Sequence, residues 1–83
     1  MNNIPVWIVK DVVPEDDFIL KITFADGKIK RYDMKCIIAK GGIFKKIANP
    51  ILFAQAYADG TTVSWADDID ISPEELYENG VLI

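Results

Sequence analysis

A two-layer α+β fold, with antiparallel β-hairpins packed against short helices, is what this sequence predicts. Three observations carry that prediction. From Phe18 to Ala25, Phe18, Leu20, Ile22 and Phe24 alternate with Ile19, Lys21, Thr23 and Ala25, and a period of two puts each set on its own face of a strand. Asp26-Gly27 and Asp59-Gly60 each separate two strand-like runs, as hairpin turns do when their central residues need positive φ. Ser72-Pro73-Glu74-Glu75 carries the residues of a capped helix start.

The elements follow in order. Val6 to Val13 is β-branched and apolar around Lys10 and Asp11 and reads as the first strand. Pro5 stands at its start, where a missing backbone donor is tolerated. Pro14-Glu15-Asp16-Asp17 reads as a turn, because proline pre-sets one dihedral and the acids bond to nearby backbone. The alternating strand comes next, then Asp26-Gly27. Lys28 to Tyr32 is the returning strand, with the adjacent polar residues Lys30 and Arg31 allowing a bulge. Asp33 is placed to cap a helix. Met34, Ile37 and Ile38 give it one apolar stripe at i, i+3 and i+4. Gly41-Gly42 ends it, since glycine takes the left-handed conformation without steric cost.

Ile43 to Ile47 has room for one further turn, closed by Asn49-Pro50, because proline disfavours helix at the residue before it. Residues 53–58 are read as a strand: Phe53, Gln55 and Tyr57 alternate with alanines, although alanine itself favours helix. The alanine face leaves room for a helix to lie close. Asp59-Gly60 leads into the β-branched run Thr61-Thr62-Val63. Ile69 and Ile71 alternate with Asp68 and Asp70 in a short extended piece. In the last helix Ser72 is the N-cap, Pro73 takes the first position, and Glu75 completes a capping box. Glu74 and Glu75 sit at the positive end of the helix dipole, and Gly80 is the stop.

With 83 residues the chain is expected to be a single domain, 1–83. Its 51% hydrophobic content supports one core and argues against disorder. No apolar run approaches the ~18 residues of a membrane span. Met1-Asn2-Asn3-Ile4-Pro5 lacks the basic start and small-residue cleavage site of a signal peptide. Cys36 is the single cysteine, so no internal disulfide forms and a cytoplasmic protein is expected. The net charge of −4 is unevenly spread: all nine basic residues lie between Lys10 and Lys46, and residues 47–83 hold seven acids and no Lys or Arg. The halves are expected to complement each other within the fold or across a dimer; the alternative is a basic surface that meets an acidic partner.

One group of residues points to a family. Phe24-x-Asp26-Gly27 precedes Tyr32-Asp33, followed by Gly42, Ile47-x-Asn49-Pro50-x-x-Phe53, Gly60-Thr61, Val63-x-Trp65 and Ile69-Asp70-Ile71-Ser72-Pro73-Glu74-x-Leu76-Tyr77. Together these resemble the small bacterial family catalogued as domain of unknown function 2442, over nearly the whole chain. The resemblance implies a two-layer α+β fold of β-hairpins and short helices, and supplies no activity, catalytic residue or cofactor. Some relatives carry a fused helix-turn-helix, and others are encoded beside another small protein. No such segment is expected after Ile83, and a DNA-binding role that belongs to the fusion is not expected to transfer. Asp68 departs from the Gly or Asn usual in relatives, and the corner is expected to differ locally there.

Catalytic equipment is sparse. With no histidine the commonest general base and zinc nitrogen ligand are missing, and a Ser or Cys nucleophile lacks its usual partner. Cys36 is expected to be packed. Asp67, Asp68 and Asp70 form an acidic corner of the kind that binds Mg²⁺ or Ca²⁺. As a calcium loop, Asp68-x-Asp70-x-Ser72 fails, because Pro73 holds the glycine position and Asn79 the final glutamate position. The acids are instead expected to be structural: Asp70 orienting the corner, Ser72 and Glu75 capping, Asp67 and Asp68 in the turn. Lys28, Lys30, Arg31 and Lys35 are the densest basic group, with Tyr32 as a stacking aromatic if they meet phosphates; overall acidity argues against that use. Trp7 and Trp65 are expected core anchors, or a binding face if exposed.

No catalytic residue, metal or cofactor is expected. The leading expectation is an interaction module whose partner is another protein or a second copy, with a hairpin edge strand for pairing. The candidate contact residues are Lys28, Lys30, Arg31, Lys35, Trp65, Asp67, Asp68 and Asp70. The alternative is regulation linked to nucleic acid, either directly through the basic group or as partner of a DNA-binding or toxin protein.

Overall fold

In the computed structural model, which describes residues 4–83, the elements in chain order are β1 (Val9–Glu15), β2 (Ile19–Phe24), β3 (Ile29–Asp33), α1 (Lys35–Ala39), α2 (Pro50–Phe53), β4 (Tyr57–Ala58), β5 (Val63–Trp65), β6 (Ile69–Asp70), α3 (Pro73–Asn79) and β7 (Val81–Leu82). Short 3₁₀ segments fill Asp16–Phe18 and Gly42–Ala48. Two antiparallel sheets result, in the orders β1-β2-β3-β7 and β4-β5-β6. The fold is the expected α+β arrangement.

The alternating run sets the larger sheet. Leu20, Ile22 and Phe24 are fully buried, and their cross-strand partners Tyr32, Lys30 and Val9 lie on the same face. The other face carries Val13, Ile19, Lys21, Thr23, Ile29 and Arg31, half-buried or exposed. The smaller sheet closes the core with Val63, Trp65 and Ile69. The sheets meet where the Val9 N–H donates to the Thr61 carbonyl at 3.0 Å. Helix α3 lies on the inner face: Leu76 is fully buried, and the Tyr77 ring meets Phe24 edge-on with centroids 4.9 Å apart.

Several local expectations change. The first strand starts at Val9 and runs through Pro14, so the turn shrinks to Asp16–Phe18, where Asp17 and Phe18 take φ of 64° and 59°. Proline is tolerated there because β1 is the outer strand of its sheet. The irregular register lies between Val9 and Asp11, while Lys30 and Arg31 pair regularly with Ile22 and Lys21. Asp33 acts one residue ahead of the cap position: its Oδ1 accepts from the Lys35 N–H at 2.8 Å. Residues 53–58 are not one strand. Asn49 opens α2 by accepting from the Ile51 N–H at 2.9 Å, with Pro50 first in the helix, and only Tyr57–Ala58 is extended. Asn-Pro thus starts a helix by the same means as Ser72-Pro73. Cys36 is exposed rather than packed, because the inward stripe of α1 is Met34, Ile37 and Ile38. Gly80 is not left-handed, at φ −69°; a Cβ there would stand 2.5 Å from the Leu76 carbonyl oxygen and 3.1 Å from Lys30 Cβ.

Candidate functional site

The acidic corner is the turn between β5 and β6. Asp67 and Asp68 occupy it at φ 63° and 59°, and both are exposed. Aspartate visits this left-handed region more readily than most residues, so the corner forms with Asp67 and Asp68 in it. Asp70 follows, exposed on β6. No hydrogen bond of its side chain ties Asp70 to the corner among the described contacts, whereas Asp59 orders the turn between β4 and β5. One of its oxygens accepts from the Thr61 and Thr62 N–H groups at 2.9 Å each, and the other from the Ser64 hydroxyl. The Ser64 hydroxyl first, then the Thr62 N–H, hold the Asp59 carboxyl below its ordinary range. The signal was available: an acid just before Gly-Thr-Thr is the pattern of a side chain that bonds backbone two and three residues on. An open depression of about 260 Å³ lies among Tyr57, Asp59, Ser64, Asp67, Asp68 and Asp70. Among the described residues, no group of three or more His, Cys, Asp or Glu is arranged to hold a metal ion.

At the start of α3, Ser72 Oγ accepts from the Glu75 N–H at 3.4 Å. The reciprocal half of the capping box is absent from the contacts of Glu75, whose carboxylate turns toward the sheet. It accepts from the Tyr32 hydroxyl and from Asn79 Nδ2, each at 2.9 Å. Burial first, and the Glu75 carboxylate second, push the Tyr32 phenol well above its ordinary value.

The basic group is not brought together. Lys28 and Lys30 reach toward α3. Lys28 Nζ donates to the Tyr77 hydroxyl at 3.3 Å and stands 3.8 Å from Asp26. Lys30 Nζ lies 4.0 Å from the Tyr77 ring centroid and donates to the Tyr77 carbonyl. The Tyr77 hydroxyl in turn donates to Asp26 at 2.6 Å, and this bond is the main reason the Asp26 carboxyl is held low. Arg31 sits on the opposite face, donating to Glu15 at 2.8 and 3.4 Å. Lys35, at the start of α1, stands 3.0 Å from both Asp17 and Asp33. Tyr32 is buried and is not available to stack on a base. Trp65 is likewise a core residue, 2% exposed, with its indole N–H donating to the Phe53 carbonyl at 3.0 Å. Trp7 is half-buried. Among the described residues only one ion pair, Lys46–Asp67 at 3.6 Å, joins the basic and acidic halves of the chain.

The sequence reading missed β7. It pairs with β3 through Lys30↔Leu82 and Arg31↔Val81 and forms one edge of the four-stranded sheet. Val81, Leu82 and Ile83 are 71%, 60% and 60% exposed. The clue was the apolar run directly after Gly80.

Two hairpin-built sheets sharing one core with short helices, and polar side chains engaged in turns and caps, define a small α+β domain. The chain belongs to the family described as "Protein of unknown function (DUF2442)", whose family model matches residues 9–81. Comparison with curated proteins and with solved structures found no match. Among the described residues no helix is long and apolar enough to cross a membrane.

Proposed function

We propose that this protein is a non-enzymatic interaction module of the cytoplasm that binds another protein, or a second copy of itself, by strand addition along β7. The observation that carries the reading is the open, apolar edge of the larger sheet. β7 is bonded to β3 on one side only. Its outer side offers backbone donors and acceptors beside exposed Val81, Leu82 and Ile83. Edge strands left without charge or proline are templates for pairing. Direct binding of nucleic acid has less support, because Lys28, Lys30, Arg31 and Lys35 all have acidic or aromatic partners within the chain.

The test combines reciprocal pull-down from native cells with light scattering on the purified protein. A partner or a dimer is expected, and is expected to be lost in the double variant Val81→Lys, Leu82→Lys while the fold stays intact. Binding undiminished by that variant, or a reproducible absence of any partner or dimer, would overturn the reading.

A further inference from the structure

From Met34 to Ala58 the chain contains four lysines and no Asp or Glu, within a protein of net charge −4. As far as Phe53 this stretch is the helical layer of α1, the 3₁₀ segment Gly42–Ala48 and α2, which pack in succession. Lys35 is held by Asp17 and Asp33, and Lys46 by Asp67. Lys40 and Lys45 are exposed and make no ion pair among the described residues. Side chains three apart line up along a 3₁₀ helix. Phe44 and Ile47 therefore share the inward face, and Ile43 and Lys46 share an outward one. Leu52 adjoins Lys46 in the same shallow surface. Ile43 is 49% exposed and Ile51, in the next turn, 72%. Along the chain the layer thus alternates exposed lysines with large exposed apolar side chains, and Lys46 and Leu52 meet in one surface depression.

We infer that this helical layer is a second docking surface, distinct from the β7 edge, and that its partner is an acidic amphipathic segment of another protein. Charge complementarity selects the sign of the partner, and exposed Ile43, Ile51 and Leu52 demand apolar side chains beside its carboxylates. Extended anionic partners fit less well. A membrane surface or a nucleic-acid duplex would spread negative charge over a molecule only 25 Å across its middle dimension. It would then meet the acidic corner, which touches this layer through Lys46–Asp67 and lies within a screening length of about 8–10 Å. A peptide can place its carboxylates at Lys40 and Lys45 and leave the corner out of reach.

The probe is a synthetic amphipathic peptide with Leu on one helical face and Glu on the other. Its controls have Lys in place of Glu, or Ser in place of Leu. Backbone amide shifts of the whole chain report where the probe binds, and titration gives its affinity. Expected are shifts concentrated in residues 40–54, weaker binding at higher salt, and no comparable binding of either control peptide. The Lys40→Glu, Lys45→Glu variant should weaken binding by about tenfold or more, and Ile51→Ser should weaken it as well. The Val81→Lys, Leu82→Lys variant should leave it unchanged, which separates this surface from the β7 edge. Absence of binding, shifts centred elsewhere, or equal binding of the Lys peptide would overturn the inference. So would tighter binding of phosphatidylglycerol vesicles or duplex DNA at this layer.

Discussion

Replacing Gly80 by alanine adds one methyl group where α3 hands the chain to β7. The backbone there, φ −69° and ψ 151°, suits alanine, so no dihedral strain is introduced. Space is the difficulty. The new Cβ would lie 2.5 Å from the Leu76 carbonyl oxygen and 3.1 Å from Lys30 Cβ. The Gly80 N–H already donates to that same carbonyl at 2.9 Å, so the two groups cannot part without losing a hydrogen bond. Relief requires moving β7 off β3 or lifting the end of α3. Forcing a methyl into a packed site costs about 1–3 kcal/mol. The stiffer unfolded chain of the alanine variant returns about 0.4–1 kcal/mol. The net expectation is a loss of about 1–2 kcal/mol, read as a lower urea midpoint at unchanged slope. Gly27→Ala is the informative control: nothing lies within 4 Å of its Cβ position, but φ is +88°. Its cost of about 1–2 kcal/mol comes from backbone conformation alone. A Gly80→Ala protein as stable as the wild type would refute the close-approach account of this glycine.

Three further outcomes follow from the contacts described. Trp65→Phe removes the indole donor to the buried Phe53 carbonyl, which keeps the Ala56 N–H at 3.2 Å, and should cost about 0.5–1.5 kcal/mol; an unchanged denaturation midpoint would contradict this. Ser72→Ala should cost about 1 kcal/mol and leave partner binding unaltered, so lost binding at full stability would make the corner a contact site. Asp59 has a lower pKa folded than unfolded, so the folded state binds fewer protons as pH falls through the carboxylate range. Its contribution is therefore present above about pH 4 and fades below. Glu15, Asp26 and Asp33 are shifted the same way. Asp59→Asn should accordingly flatten, but not abolish, the fall in melting temperature on acidification; an identical acid limb would count against the role given to Asp59.

Local chemistry was legible in the sequence, and long-range pairing was not. The alternation that makes β2, the Asp26-Gly27 turn and the Ser72-Pro73 helix start each depend on residues a few positions apart and stand close to where expected, although Phe18 falls in the turn before β2 and only Gly27 of the turn pair takes positive φ. Asn49-Pro50 was misread because proline at a first helical position and proline after a helix look alike until the neighbouring element is known. Glu75 was expected to face Ser72, but Tyr32, forty-three positions away, takes its carboxylate. In the sequence Lys28 and Lys30 admit a phosphate patch that overall acidity argues against; only the fold brings Tyr77 over them. Gly80 was legible as a stop, while its reason, the approach of Lys30, was not.

The division of charge along the chain shows why composition alone misleads about surfaces. The basic half was expected to meet the acidic half, yet most of its ion pairs are with its own acids: Lys28 with Asp26, Arg31 with Glu15, Lys35 with Asp17 and Asp33. These pairs lie at the surface, where solvent screening leaves an ion pair little net contribution to stability. Stability therefore rests on the buried apolar cluster, and the remaining charges are free to serve solubility and association. Lys40 and Lys45 belong to that remainder. Reversing both to glutamate should move the folding free energy by only about 0.5 kcal/mol per site. The same double variant should suppress binding of an acidic partner segment. A large loss of stability on reversal would mean that these lysines serve the fold, and would leave the helical layer without the unengaged charge that its docking role requires.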